Sequence, residues 1–157
     1  MQFAELGSLY AKFALNIENP KVGLLNIGEE EEKGNTVAQA AYQLLKNNKK
    51  VNFIGNVEGR DLFDGKADVI VTDGFTGNVM FKMGESLYEY AATRGIDDQL
   101  INRMNYEVAG GSPIIGVNGN VIVGHGISTP LAIKNMILLA QRQIESNVVD
   151  KIKEVFL

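Results

Sequence analysis

Apolar residues recur at helical spacing at the start of the chain, where Phe3, Leu6, Tyr10, Phe13 and Ile17 lie three or four positions apart. That spacing predicts an amphipathic first helix, ended by a turn at Asn19-Pro20. Residues 22–27 (VGLLNI) follow as an apolar run without alternation, the mark of a strand covered on both faces. Gly28 breaks it, and after a polar stretch Val37, Ala40, Ala41, Leu44 and Leu45 outline a second helix. Lys46, Lys49 and Lys50 sit at that helix's negative end. Residues 51–54 and 68–72 (DVIVT) read as two further strands, ended by Gly55-Asn56 and Asp73-Gly74. Strand, helix and strand in so short a span imply a right-handed crossover and a parallel sheet.

The second half opens with a helix predicted over residues 76–92, with Val79, Met83, Leu87 and Ala91 as its buried stripe, and a shorter helical piece over 97–104. Residues 113–117 and 121–123 flank Asn118-Gly119, a strong hairpin signal, so an antiparallel pair is expected to extend the sheet. After Gly124-His125-Gly126, Ser128 or Thr129 caps a long final helix with Pro130 in its first turn. Ile133, Ile137, Ala140, Ile144, Val148, Ile152 and Val155 form its apolar face. The expected architecture is α/β: one domain over residues 1–157, a three-layer α/β/α sandwich with a mostly parallel sheet and one antiparallel hairpin.

Composition changes this picture mainly by exclusion. Fifteen basic against nineteen acidic residues give a net charge of −4, which argues against a nucleic-acid groove. Cysteine is absent, which removes thiolate nucleophiles and Cys-based zinc sites and fits a reducing compartment. No run of about 18 apolar residues spans a bilayer. The start of the chain, with Glu5 in its first turn, does not read as a signal peptide.

Ligands of open α/β sheets collect at the carboxyl ends of the strands. Three polar loops follow the three strands: residues 28–35 (GEEEEKGN), 55–61 (GNVEGRD) and 73–78 (DGFTGN). A fourth, residues 124–129 (GHGIST), precedes a helix N-terminus, which favours an anion. Parallel strands would put Lys33, Arg60, Asp73, Asn78 and His125 along one edge, with glycines that let backbone approach a phosphate or carboxylate. Plainer readings stand beside this one. Glu29 to Glu32 complement a helix macrodipole, and four consecutive carboxylates do not converge on one metal ion. Asp73-Gly74 is equally a turn, Asn78 a helix cap, and a lone histidine between glycines more often structural than catalytic. No Ser-His-Asp order, Walker loop or complete GxGxxG is present.

GEEEEKGN, NFIGNVEGRD, DVIVTDGFTGNV, GGSPIIGVNG and GHGIS with AIKN, in that order, resemble the C-terminal half of the bacterial phosphate acyltransferases of fatty acid and phospholipid synthesis. The resemblance covers nearly all of the chain and implies a fold similar to phosphotransacetylases and isopropylmalate dehydrogenases. It implies transfer of an acyl group from acyl carrier protein to inorganic phosphate, by a cytoplasmic homodimer associated peripherally with the inner face of the membrane. No metal or cofactor is implied, and no nucleic acid. Carried onto this sequence, it makes Lys33 the partner of phosphate or oxyanion, Asp73 a group that orients Lys33 or takes a proton, and Asn78 a neutral donor. Gly34, Asn35, Gly74, Gly77, His125, Gly126 and Ser128 are the accompanying phosphate-binding positions. Lys82, Arg94 and Arg103 are candidates for a basic patch that docks the acidic carrier protein.

Two departures accompany the resemblance. Family members have a further N-terminal half that supplies strands and one wall of the cleft, and many have a longer helical segment after the DGFTGN motif. Two alternatives follow: a catalytically incomplete half that dimerises or docks, and a phosphotransacetylase-like enzyme using acyl-coenzyme A.

Overall fold

The structure, a computed structural model, describes residues 1–156. Two compact units divide them: residues 1–72 with the chain from 150 onward, and residues 73–149.

The first unit carries helix α1 (Gln2–Ala14), strand β1 (Lys21–Leu25), helix α2 (Thr36–Lys46), strand β2 (Asn52–Val57), a 3-10 turn (Gly59–Leu62) and strand β3 (Val69–Val71). The three strands form a parallel sheet in the order β2-β1-β3, as the crossover pattern predicts. Val22, Gly23 and Leu24 of β1 are consecutive and all buried, so the central strand is covered on both faces. Around it Ala4, Val22, Leu24, Tyr42 and Leu45 form the core, flanked by Val51, Phe53, Val69 and Val71. The Tyr42 ring meets Phe53 edge-on, with centroids 5.3 Å apart.

Three expectations for this unit are corrected. The buried face of α1 consists of Ala4, Glu5, Ser8, Ala11 and Ala14, while Phe3 is exposed. Small residues win because α1 lies close on β3: a Cβ added at Gly7 would come within 2.8 Å of Val69. Gly55-Asn56 does not end β2 but lies inside it. Val22 pairs with Phe53 and Gly23 with Gly55, so Ile54 is an extra residue, and Gly55 (φ 98°) absorbs the bulge. The glutamates 29–32 are not the first turn of a helix, because α2 starts at Thr36 with no acid in its first turn.

The second unit contains α3 (Gly74–Thr93), two single-turn helices α4 (Gln99–Asn102) and α5 (Tyr106–Ala109), strands β4 (Ser112–Ile114) and β5 (Val121–Val123), and α6 (Pro130–Glu145). β4 and β5 pair antiparallel, as the Asn-Gly signal predicts. They form a separate two-stranded sheet and do not extend the parallel one. Residues 115–120 connect them, too many for a two-residue turn, so Asn118-Gly119 marks the reversal without being the whole of it. The expected final helix is broken at Ser146-Asn147, where Asn147 adopts φ 52°, and continues as α7 (Val148–Phe156). Val79, Met83 and Leu87 of α3 are exposed, and only Ala91 of that predicted stripe is buried. On α6, Ile133, Ile137 and Ile144 are likewise exposed, with Ala132 and Gln143 buried instead.

Candidate functional site

The loop between β1 and α2 is built by amide side chains that seize its carbonyl groups. Asn26, just past β1, donates from Nδ2 to the Lys33 carbonyl at 3.0 Å, while its Oδ1 accepts from the Ile27 N–H at 2.8 Å. Asn56, buried at the end of β2, donates to the Glu30 carbonyl at 2.8 Å. Gln39 of α2 reaches the carbonyls of Glu32 and Gly34 at 2.6 and 3.2 Å. Asn35 caps α2, its Oδ1 accepting from the Ala38 N–H at 2.9 Å. Gly34 turns the chain at φ 87°, and a Cβ there would overlap Asn26 Oδ1 and lie 3.0 Å from Ala38 Cβ. Asn35 therefore serves the helix, and Gly34 is a glycine because the amide clasp leaves no room.

The acidic run has lysine partners, and they are not Lys33. Glu31 pairs with Lys46 at 2.5 Å, and that ammonium holds its carboxyl below the ordinary glutamate range. Glu29 pairs with Lys66 at 2.5 Å, and Lys66 also meets Asp61 at 2.9 Å. Asp61 is buried and closes the 3-10 turn by accepting from the Glu58 N–H at 2.9 Å. That hydrogen bond first, and Lys66 second, depress its pKa. Lys33 is exposed, and among the described residues its ammonium makes no ion pair, although four carboxylates precede it. Arg60 pairs with Glu58 at 2.9 Å.

In the second unit the DGFTGN segment is not a loop. Asp73 caps α3, and Gly74, Gly77 and Asn78 lie within that helix. One Asp73 oxygen accepts from the Thr76 N–H at 2.9 Å and the other from the Thr76 hydroxyl at 2.6 Å. The hydroxyl bond first, then the amide bond, lower the Asp73 pKa, so its carboxylate is a weakened proton acceptor. Asn78 is exposed in the second turn and therefore caps nothing.

The GHGIST loop is a tight turn ahead of α6. The Ser128 N–H and hydroxyl both donate to the His125 carbonyl, at 3.0 and 2.6 Å, so this hydroxyl closes the turn. Thr129, not Ser128, caps α6 by accepting from the Ala132 N–H at 3.3 Å. Thr129 also donates to the Glu107 carboxylate. Gly126 has open space where a Cβ would stand. His125 stacks on Tyr106, with ring centroids 4.7 Å apart and planes 27° from parallel. Its Nε2 lies 3.3 Å from Lys82 Nζ, and Lys82 holds Glu85 at 2.7 Å. A pocket of about 60 Å³ adjoins this cluster, lined by Glu85, Tyr88, Met104, Asn105, Tyr106 and His125 among others.

Each unit thus assembles its own part of the predicted set: Lys33, Gly34 and Asn35 in the first, Asp73, Gly74, Gly77, Asn78, His125, Gly126 and Ser128 in the second. Of the basic residues assigned to carrier docking, Lys82 is engaged by Glu85 and His125, while Arg94 stacks over the Tyr90 ring at 4.4 Å. Sequence reasoning missed Asn26, Asn56 and Gln39 because amide side chains that hold carbonyls leave no periodic signal. It also missed Tyr106 and Glu85, which act on His125 from elements distant in sequence. Among the described residues no cluster of His, Asp or Glu could hold a metal ion, and no helix is long and apolar enough to cross a membrane.

The family model described as "Fatty acid synthesis protein" matches residues 1–94. A phosphate acyltransferase of Halothermothrix orenii is 43% identical over 173 residues, covering 98% of this chain and 52% of that protein. The phosphate acyltransferase of Heliobacterium modesticaldum is 44% identical over 174 residues, covering 98% of this chain and 51% of its own length. That of Syntrophomonas wolfei is 44% identical over 155 residues, covering 96% and 48%. The chain spans about half the length of the curated relatives it matches. The first two matches run longer than the chain's 157 residues, so those relatives carry residues in the matched region that this chain lacks.

Proposed function

The chain belongs to the phosphate acyltransferase family, and on that premise we propose that it supplies an acyl-transfer site in which inorganic phosphate attacks an acyl thioester of acyl carrier protein. A phosphate oxygen bonds to the thioester carbonyl carbon, the tetrahedral oxyanion collapses, and the thiolate of the carrier leaves. The products are acyl phosphate and free carrier protein, an early step of phospholipid synthesis. Residues 1–157 act in it as one domain of a cytoplasmic homodimer that meets the inner face of the membrane.

The demands of the reaction fit these residues. A phosphate ester has a second pKa of about 6 and inorganic phosphate lies somewhat above it, so the nucleophile is substantially dianionic near neutrality. An ordinary thiol has a pKa of about 8.5, so the thiolate leaves readily. Strong acid–base help is dispensable; charge placement is not. Loss of one oxyanion donor costs on the order of 3 kcal/mol in an acyl-transfer site. Lys33 meets phosphate or the oxyanion, Asn78 is a neutral donor, and Asp73 is a fixed negative charge that orients an ammonium. The backbone of 124–128 is a second, weaker anion cradle. Arg94 and Arg103 remain for carrier docking.

The observation that carries this reading is Lys33: an exposed ammonium without an ion pair among the described residues, on a loop whose carbonyls are clasped by three amide side chains. The test is turnover of long-chain acyl-acyl carrier protein with phosphate, trapping acyl phosphate with hydroxylamine. The expected result is a phosphate-dependent signal that Lys33→Ala abolishes while the unfolding temperature stays unchanged. Unchanged turnover removes Lys33 from the site. A folded chain that is silent in this assay but active when acyl-coenzyme A replaces the carrier identifies the other acyl donor.

A further inference from the structure

Both nitrogens of His125 face hydrogen-bond donors. Nε2 lies 3.3 Å from Lys82 Nζ, and Nδ1 lies 3.4 Å from the Ile127 backbone nitrogen. A neutral imidazole has a single acceptor nitrogen, so it satisfies only one of them. An imidazolium satisfies neither and sets a second positive charge 3.3 Å from the ammonium. The contest between the two neutral forms is decided by donor strength. An ammonium is the stronger donor, and a hydrogen bond from a charged group is roughly twice as strong as a neutral one. The ammonium is also held in place. Glu85 fixes it at 2.7 Å, and the Glu85 carboxylate stands 4.0 Å from Nε2, on the side from which Lys82 approaches. Tyr106 fixes the ring plane by stacking on it, and its hydroxyl reaches the Ile127 carbonyl at 3.5 Å.

We infer that Lys82 is a positioning residue: it donates to Nε2 of His125, fixes the ring as the Nδ1–H tautomer, and so turns Nδ1–H into the donor offered to a substrate oxygen at the GHGIST turn. In that tautomer the Ile127 N–H loses its acceptor, so two N–H groups about the same turn are left to share one anionic oxygen. Among the described residues no other donor is hydrogen-bonded to Nε2: Glu89 and Tyr88 line the pocket, and Tyr106 lies against the ring face. A neutral imidazole adds little to binding a dianion by charge, but a fixed N–H at a defined point adds direction. The inference rests on reading the GHGIST turn as facing substrate. Its first part does not.

The chain has one histidine, so its ring nitrogens can be read without ambiguity. In the full chain labelled with 15N-histidine, long-range proton–nitrogen correlation at mildly alkaline pH is expected to give the Nδ1–H pattern. Lys82→Met is expected to move it toward Nε2–H, and Lys82→Arg, which keeps a cationic donor, to restore Nδ1–H. An Nε2–H or doubly protonated ring in the unmodified chain overturns the inference without need of any variant. So does a tautomer indifferent to Lys82→Met. Inorganic phosphate is then titrated into the same sample. Movement of the Nδ1 resonance in the unmodified chain, and its reduction in Lys82→Met, supports the substrate-facing role. An Nδ1–H ring that ignores saturating phosphate overturns that role and the reading of the turn, and leaves the tautomer assignment standing.

Discussion

Replacing glycine by alanine at three positions separates backbone strain from crowding in the loop that carries Lys33. Gly59 has an ordinary φ and open space around a built Cβ, Gly65 has φ 77° and open space, and Gly34 has φ 87° with Asn26 and Ala38 in the way. Gly59→Ala should stabilise by about 0.4–1 kcal/mol, because it restricts the unfolded chain and meets nothing in the folded one. Gly65→Ala should cost about 1 kcal/mol, the typical penalty for a side chain in the left-handed region, less that gain. Gly34→Ala carries the same strain and must also push Asn26 aside. Asn26 makes two hydrogen bonds, to the Lys33 carbonyl and from the Ile27 N–H. Each is worth about 0.5–1.5 kcal/mol, so the total for Gly34→Ala is about 2–4 kcal/mol. Urea unfolding followed by circular dichroism measures all three. The decisive quantity is the difference between Gly34→Ala and Gly65→Ala, in which the strain cancels. If that difference is below about 0.5 kcal/mol, the size of an ordinary surface effect, the Asn26 clasp does not hold the loop and the account of Lys33 placement fails.

Leu45→Ala removes a side chain that is 1% exposed in the core of the first unit, and is expected to cost about 2–5 kcal/mol in the same unfolding experiment. Asp73→Ala should lower the unfolding temperature near neutral pH by removing the cap of α3. Because the native Asp73 pKa is lowered, its ionised carboxylate stabilises the fold above the ordinary aspartate value of about 3.9, and this is lost as pH falls through the lower native value. The gap in melting temperature between Asp73→Ala and the unmodified chain should therefore be constant around neutrality and narrow in acid; a gap that widens in acid contradicts the assignment.

The strands of the parallel sheet were legible from short apolar runs, residues 22–25 in β1, 53–54 in β2 and Val69–Val71 in β3, although only the run in β1 is mainly buried. Helix positions were legible too, but not their buried faces. In α1 the large residues are spaced as a helix requires, yet the sheet is met by Ala4, Ala11 and Ala14, because close approach selects for small volume and a periodicity count weights size. In α3 and α6 the apolar stripes exist but their large residues are exposed, so spacing alone did not report what covers them. The DGFTGN segment misled for a related reason. Glycines suggest a loop, but Asp73 and Thr76 supply a cap and its partner, and that local hydrogen bonding starts the helix three residues after β3 ends. Of the proposed site, Lys33 stood out only as the basic residue of a glycine-bounded loop behind four glutamates, and His125 as a lone histidine between glycines. Their frames, Asn26 with Asn56 and Gln39 in one case and Lys82 with Glu85 and Tyr106 in the other, are contacts across sequence distance that no local pattern encodes.

The capping of Asp73 bears on how the proposed acyl transfer would respond to pH. Both of its oxygens are occupied by Thr76, and those two bonds hold its pKa below the usual value, so the carboxylate stays ionised through the whole range in which phosphate gains or loses its second proton. A group that does not titrate there cannot set the acid limb of the rate. The limb belongs to the nucleophile, and turnover should fall as pH drops through the second pKa of inorganic phosphate, which lies above the value of about 6 for a phosphate ester. Asp73→Asn keeps a side-chain oxygen for the Thr76 N–H, removes the charge and replaces the oxygen that accepts from the Thr76 hydroxyl with an amide nitrogen. It should lower the plateau, as loss of an orienting charge does, and leave the position of the acid limb unchanged. Turnover measured by hydroxylamine trapping across the acid range distinguishes the alternatives. If the limb moves in Asp73→Asn, Asp73 is exchanging a proton during the reaction, and the electrostatic role deduced from its hydrogen bonds is wrong.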